Sequence, residues 1–305
     1  MNPEKYPSMG RLVDVGGHRL HIHSTGTGSP AVVFESGGAS WSLDWHSVQV
    51  EAAKFTQVCS YDRAGFGWSD PGPTPRTAGK ITEELHSLLA NAGVAKPYIL
   101  VGASFGGHVA RLFAKKYPAE TAGVILLDAR HEDLDSKMPP AWKNIEKAGG
   151  TIYRILLLAS RLGLLKALGK FAGENAVPPA AKKLPPDLSA AYMEVGFQSK
   201  YFRANLDELA AVRESDKQAA ESGPLRNLPL TVIRHGIPDI FSRMPAAQAI
   251  QAEQVWQEMQ TRLEGLSSDS RSITAENSGH GIQLEQPELV VEAIRQMVDK
   301  IRAGR

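Results

Sequence analysis

The chain has 305 residues, 42% of them apolar, with 34 Lys and Arg against 33 Asp and Glu, for a formal charge of +1. That near-neutral balance excludes a nucleic-acid binder, which needs a basic footprint to displace counterions. The single cysteine, Cys59, excludes an intrachain disulfide and a thiolate zinc cluster. The opening MNPEKYPSMG carries no apolar stretch, so no secretory leader is expected, and a reducing, cytoplasmic setting is the default expectation.

Short β-rich runs occupy 11–15, 19–25, 31–36, 57–62, 98–103 and 123–129, with Gly16-Gly17 as a hairpin signal between the first two. The later runs are continuously apolar, as in parallel strands covered on both faces. Helical patterns lie between them: Ile81, Leu85, Leu88 and Leu89, then Val109, Leu112 and Phe113, the second stopped by Pro118. Strands resume at 228–236 and 270–279, separated by a helical stretch around 246–266. A last helix starting at Pro287 shows Val290, Ile294 and Ile301 on one face.

Residues 131–226 contain no comparable strand, and Pro139-Pro140, Pro178-Pro179 and Pro185-Pro186 punctuate them into short helical pieces. They read as a helical cap inserted between two strands, leaving 1–130 and 227–305 as one core domain. Residues 137–183 hold nine Lys or Arg against two Glu, a local balance of +7. Their centre, 152–171, is apolar but interrupted by Arg154, Arg161 and Lys166 too often for a membrane span. A cap helix that packs its leucine face onto the domain is the expectation, ahead of a helix that contacts a membrane surface.

Gly102-Ala103-Ser104-Phe105-Gly106 follows the strand YILV and precedes a helical pattern, which is G-x-S-x-G in the strand-turn-helix setting the motif requires. A sharp turn there strains the serine backbone, and small flanking residues let neighbouring backbone pass. The hydroxyl then stands above the sheet edge, with the Phe105 N–H at a helix N-terminus to meet a developing oxyanion. Such a serine needs an oriented base. Of nine histidines, His18, His21 and His23 read as hairpin surface positions, His86 and His108 lie in helices, and His131 follows a strand without metal-ligand spacing. His280 lies between Gly279 and Gly281 in a loop from the last strand into the last helix, and it is preferred over His235, which ends the preceding strand.

Together, 31–45, 59–70, 101–118, 123–129 and 277–294 resemble the α/β-hydrolase superfamily, in its serine-esterase-like branch with a helical cap. The resemblance spans residues 11–302, with only the cap unspecific. It implies a mostly parallel eight-stranded sheet flanked by helices, Ser104 as nucleophile and His280 as base. It also implies Gly38 as the second oxyanion donor, although Ser36 stands where the family usually has histidine. Asp62 and Arg63 resemble a structural pair common to the family and are assigned no chemistry. The acid has two sites: Asp239 in Gly-x-x-Asp, where many members carry it, or Asp128 at the end of the strand before the cap. Asp128 is preferred, because an unpaired carboxylate ending an apolar strand would be costly.

The expected reaction is acyl transfer from an apolar small-molecule ester to water, on a Ser-His-Asp triad that needs no metal or organic cofactor. Lactone, amide or carbon-carbon hydrolysis would use the same triad. A serine at the elbow argues against epoxide hydrolases and haloalkane dehalogenases, whose nucleophile there is aspartate. A binding protein on an inactive scaffold would show a damaged triad, which this sequence does not.

Overall fold

The β-rich runs form one eight-stranded sheet in the computed structural model, which describes residues 8–165 and 177–304. Its strands are β1 (Arg11–Asp14), β2 (Arg19–Thr25), β3 (Ala31–Glu35), β4 (Val58–Tyr61), β5 (Tyr98–Ala103), β6 (Thr121–Leu127), β7 (Leu230–His235) and β8 (Ser270–Ala275), in the order β1-β2-β4-β3-β5-β6-β7-β8. β2 is antiparallel to both β1 and β4, and every later pairing is parallel. The chain runs from β3 outward to β4, then returns to β5 and continues the other way. The loops after β3 and β5 therefore leave the carboxyl end of the sheet in opposite directions, at the kind of switch point where such sheets place a ligand crevice.

Helices cover both faces. On one, α2 (Ala78–Asn91) and α3 (Gly106–Lys116) bury Ile81, Leu85, Val109 and Phe113 against Leu100 of β5. On the other, α1 (His46–Ala52) and α11 (Pro287–Ala303) bury Val48, Val290, Ile294 and Val298 against Ile99, Val101 and Ala103. Because β5 feeds both cores, it reads as an unbroken apolar run. The two remaining carboxy-terminal helices are α9 (Ala246–Glu264), beside β7 and β8, and the single turn α10 (Ile282–Glu285).

Between β6 and β7 lie α4 (Leu134–Lys137), α5 (Ala141–Arg161), α6 (Pro179–Lys182), α7 (Pro186–Gly196) and α8 (Ser199–Ser222). The expectation of short pieces fails for α5 and α8, which run 21 and 24 residues. The prolines start helices here: Pro140 caps α5, and Pro179 and Pro186 open α6 and α7 at first-turn positions that need no N–H partner. Proline-free stretches beyond them then propagate. The far end of α8 is built into the core, for Ser215 Oγ and Gln218 Oε1 accept the first N–H groups of α2 at 2.9 and 2.8 Å.

The leucine face of α5 does not pack as expected. Tyr153, Leu156 and Leu157 are half-buried, while Ile152, Ile155, Leu158 and Leu162 are 50–64% exposed. Lys166 and the rest of that apolar stretch lie outside the described residues, as does the start of the chain on which the leader reading rests. Among the described residues no helix is long and apolar enough to cross a membrane.

His18 and His21 are not surface residues. β2 lies between two strands, and the loop after β4 folds over it, so His21 is buried under Trp68 with Nδ1 2.9 Å from Asp62. His18 lies 3.4 Å from the buried carboxylate of Glu84.

Candidate active site

Ser104 and Asp128 stand one residue beyond the ends of the neighbouring strands β5 and β6, and both have positive φ, 49° and 41°. Each strand thus turns abruptly, at a cost of about 1–3 kcal/mol for a non-glycine residue. The turn also ends β6 at Leu127, short of the expected Ala129. Backbone bonds hold both bends: Ser104 N–H donates to Leu127 O at 3.0 Å, Asp128 N–H to Ile233 O at 2.7 Å, and Ser104 O accepts from Gly107 and Arg130, each at 3.0 Å. The glycines of the motif are sterically required. A Cβ on Gly102 would lie 2.5 Å from Gly106 O, and one on Gly106 would lie 2.4 Å from Glu35 O.

The Asp128 carboxylate is fully buried and receives four donors. Oδ2 accepts from Nδ1 of His280 at 2.6 Å and from Nδ1 of His235 at 2.8 Å; Oδ1 accepts from Trp256 Nε1 at 2.9 Å and from the His235 N–H at 3.3 Å. Burial opposes its charge, but the bonds from His235 and His280 outweigh that and hold the carboxyl far below the usual range. A carboxylate at Nδ1 fixes the tautomer of neutral His280, leaving Nε2 as the unprotonated nitrogen. His280 is one-third exposed along its side chain, and Trp256 packs edge-on against its ring at 5.7 Å.

His235 and His280, rivals in the sequence, thus share one acid, but their surroundings differ. The side chain of His235 is fully buried, and its Nε2 faces Glu253 at 3.0 Å. Burial works against its charge, yet carboxylates at both nitrogens push its pKa up to about 10, so it is an imidazolium at neutral pH with no nitrogen left to take a proton. Asp239 contributes differently. Its Oδ1 accepts the backbone N–H of His280 at 3.0 Å and its carboxylate lies where a Cβ on Gly279 would be, so it anchors the loop that carries the imidazole.

The turn after β3 brings the other expected residues. Gly37 packs against the elbow, where its Cβ would lie 3.2 Å from that of Ser104, and Gly38 is exposed with open space beside it. Phe105 is the N-cap residue of α3, so its N–H precedes the first intrahelical bond and has no acceptor within the helix. The turn after β3 and the start of α3 thus lie on either side of the elbow, and α8 reaches the same turn with a 2.9 Å bond from Tyr201 Oη to Ala39 O.

Asp62 and Arg63 do not pair with each other. Asp62 accepts from Ser42 N and Trp68 N at 3.0 and 2.9 Å, ordering the segments on either side of β4. Arg63 is buried between the carboxylates of Glu35 and Glu208, both of which bond it. Burial pushes the Glu35 carboxyl up to about 7 against the pull of Arg63 and Tyr61.

Trp256, Glu253 and Arg63 are not singled out for chemistry by the sequence pattern. A signal for the first two exists: Glu253, Trp256, Gln257 and Gln260 follow i, i+3, i+4, i+7 spacing and form a polar face of α9. Gln260 completes that face by donating to Ala129 O at 2.9 Å.

Comparisons with known proteins agree with this architecture. The chain is 27% identical over 96% of its length to "Probable transporter efuK" of Hormonema carpetanum, of which it spans only 43%. It is 26% identical over 94% of its length to "Uncharacterized protein YqjL" of Bacillus subtilis, spanning 90% of that protein. Its fold is similar to that of a thermophilic esterase from Thermogutta terrifontis, with a TM-score of 0.64, 22% identity, and coverage of 96% of this chain and 99% of that one. The model of the alpha/beta hydrolase family matches residues 20–293, most of the length over which the fold has just been traced, and the chain belongs to that family.

Proposed function

We propose that the chain is a serine hydrolase that cleaves carboxylic esters through an acyl-enzyme, with Ser104 as nucleophile, His280 as base, Asp128 as acid, and the N–H groups of Gly38 and Phe105 as oxyanion donors. The observation that carries this reading is the 2.6 Å bond between Asp128 Oδ2 and His280 Nδ1, made beside a strained elbow serine. It supports Asp128 over Asp239, because only a carboxylate at the ring sets the tautomer and stabilises the imidazolium formed during reaction.

In this mechanism His280 Nε2 takes the Ser104 proton as Oγ adds to the ester carbonyl, and the two N–H groups hold the resulting oxyanion. Collapse expels the alcohol, which receives its proton from His280. A water deprotonated by the same nitrogen then adds to the acyl carbon, and collapse of this second tetrahedral adduct breaks the bond to Oγ, which takes its proton back from His280 as the carboxylic acid leaves. The residues 131–226 act as the cap over this crevice. That both nitrogens of His235 already face carboxylates supports His280 over it as the base.

The test is Ser104→Ala, which should abolish turnover of short p-nitrophenyl esters and labelling by an organophosphonate while the circular dichroism spectrum is unchanged. Labelling retained by the variant would overturn the assignment.

A further inference from the structure

Arg63 has five N–H donors, and five acceptors surround it. Nε donates to Glu208 Oε1 at 2.8 Å; Nη1 donates to Glu35 Oε1 at 2.9 Å and to Ser36 O at 2.5 Å; Nη2 donates to Gly37 O at 2.8 Å and to Glu208 Oε2 at 3.0 Å. Arg63 is 2% exposed, and its guanidinium carbon lies 5.1 Å from the ring centre of Phe66 and 5.7 Å from that of Phe105. Two of its bonds therefore end on the main chain of the oxyanion turn, and one of its ring contacts is the residue that supplies the other oxyanion N–H.

The consequence follows from peptide geometry. Gly37 O and Gly38 N belong to one planar trans unit, in which C=O and N–H point in opposite directions. A guanidinium that captures the carbonyl on one side aims the Gly38 N–H to the other, and a cation on the carbonyl polarises the N–H into a stronger donor. Ser40 N–H also donates to Gly37 O, but at 3.3 Å, so the guanidinium makes the shorter hold, and glycine at 38 has no side chain to add another. The fork geometry matters as well, since only arginine can hold two successive carbonyls and two carboxylates at once.

Glu208 links this device to the inserted segment. It lies on α8 one heptad after Tyr201, so the two side chains leave the helix on the same face. Tyr201 holds Ala39 O, and Glu208 grips Arg63 in a two-point bond.

Resting on the ester-hydrolase reading above, we propose that Arg63, clamped by Glu208 of α8, is a positioning residue that aims the Gly38 N–H at the reaction centre. The inserted helix α8 thereby sets the geometry of the oxyanion hole, with Tyr201 as its second point of attachment.

The experiment compares full-length wild type with Arg63→Lys, Glu208→Gln and Tyr201→Phe. It measures kcat and KM on p-nitrophenyl acetate and the affinity for phenylboronic acid, which adds to an active serine as a tetrahedral anion. Misaimed donors cost most at the tetrahedral stage, so kcat should fall roughly 100-fold for Arg63→Lys and roughly 10-fold for Glu208→Gln, and a few-fold for Tyr201→Phe. KM should stay within about 3-fold, and boronate affinity should fall in step with kcat. Should Arg63→Lys fail to fold by circular dichroism, the two α8 variants decide. Full kcat in Glu208→Gln, or a loss of kcat with boronate affinity untouched, would overturn the proposal. Wild type that neither turns over esters nor reacts with an organophosphonate would instead overturn the ester reading, and this inference with it.

Discussion

Replacing Asp128 by asparagine isolates the charge at the centre of the site. The carboxylate accepts from both histidine rings, an indole and a main-chain N–H. Asparagine keeps the shape but offers one acceptor oxygen, so its NH2 must confront donors, and His280 then flips to the tautomer that carries hydrogen on Nε2. A base in the wrong tautomer costs about 10⁴-fold in kcat, about 5.5 kcal/mol of transition-state stabilisation. Asp239→Asn is the internal control. Its amide oxygen can still accept the His280 N–H, and what changes is one charge-assisted bond made neutral, about 1 kcal/mol or about 10-fold at most. Both variants should be assayed for kcat on p-nitrophenyl esters, with Tm recorded to separate loss of chemistry from loss of fold. A folded Asp128→Asn enzyme that keeps more than a tenth of wild-type kcat, or an Asp239→Asn enzyme that loses several decades, would refute the reasoning.

The buried charges also predict how stability depends on pH. The His235 pKa is raised above its unfolded value to about 10, so its contribution is complete below about 6.5 and is lost as pH climbs toward 10. Tm should therefore decline between pH 7 and 9.5, and His235→Gln should flatten that slope; an equal slope in the variant would refute the assignment. Asp128 works in the opposite sense: its depressed pKa supplies stability above about pH 4 that disappears as acid protonates it, which acid titration of Asp128→Asn should show as a missing component. Gly106→Ala should destabilise the protein by about 1–3 kcal/mol, because the added methyl meets the Glu35 and Ser36 carbonyls. Gly38→Ala, whose methyl meets open space, should keep wild-type Tm within about 1 °C.

Much of the fold is legible in the sequence because its signals are local. The β2 and β5 boundaries match the composition of the runs, and Pro287 does start the last helix. The errors are equally informative. Proline pairs announce helix starts as readily as breaks, and only the length of proline-free chain beyond them distinguishes α5 and α8 from short pieces. His21 reads as surface because a strand position has two faces, and which of them a later loop will cover is not a property of the strand. α5 reads as a packed helix because its leucines are periodic, but periodicity does not say which partner is present to cover them.

What the sequence by itself determined is the alternating order of strands and helices and the elbow at Ser104, for a turn, its glycines and the flanking strand and helix are neighbours along the chain. It also singled out His280 as the candidate base, by its place in a glycine-bounded loop. What only the tertiary structure decided is who stands beside whom. Asp128 meets His235 and His280 across 107 and 152 residues, and Arg63 meets Glu208 across 145. Two aspartates fit the chain order equally well, and the distinction between one that faces an imidazole and one that faces a peptide N–H is made by two positive-φ turns and by the packing of α9 against the acid. Hydrogen bonds act over about 3 Å, so partners so remote in the chain become specific only once the sheet has brought their strand ends together.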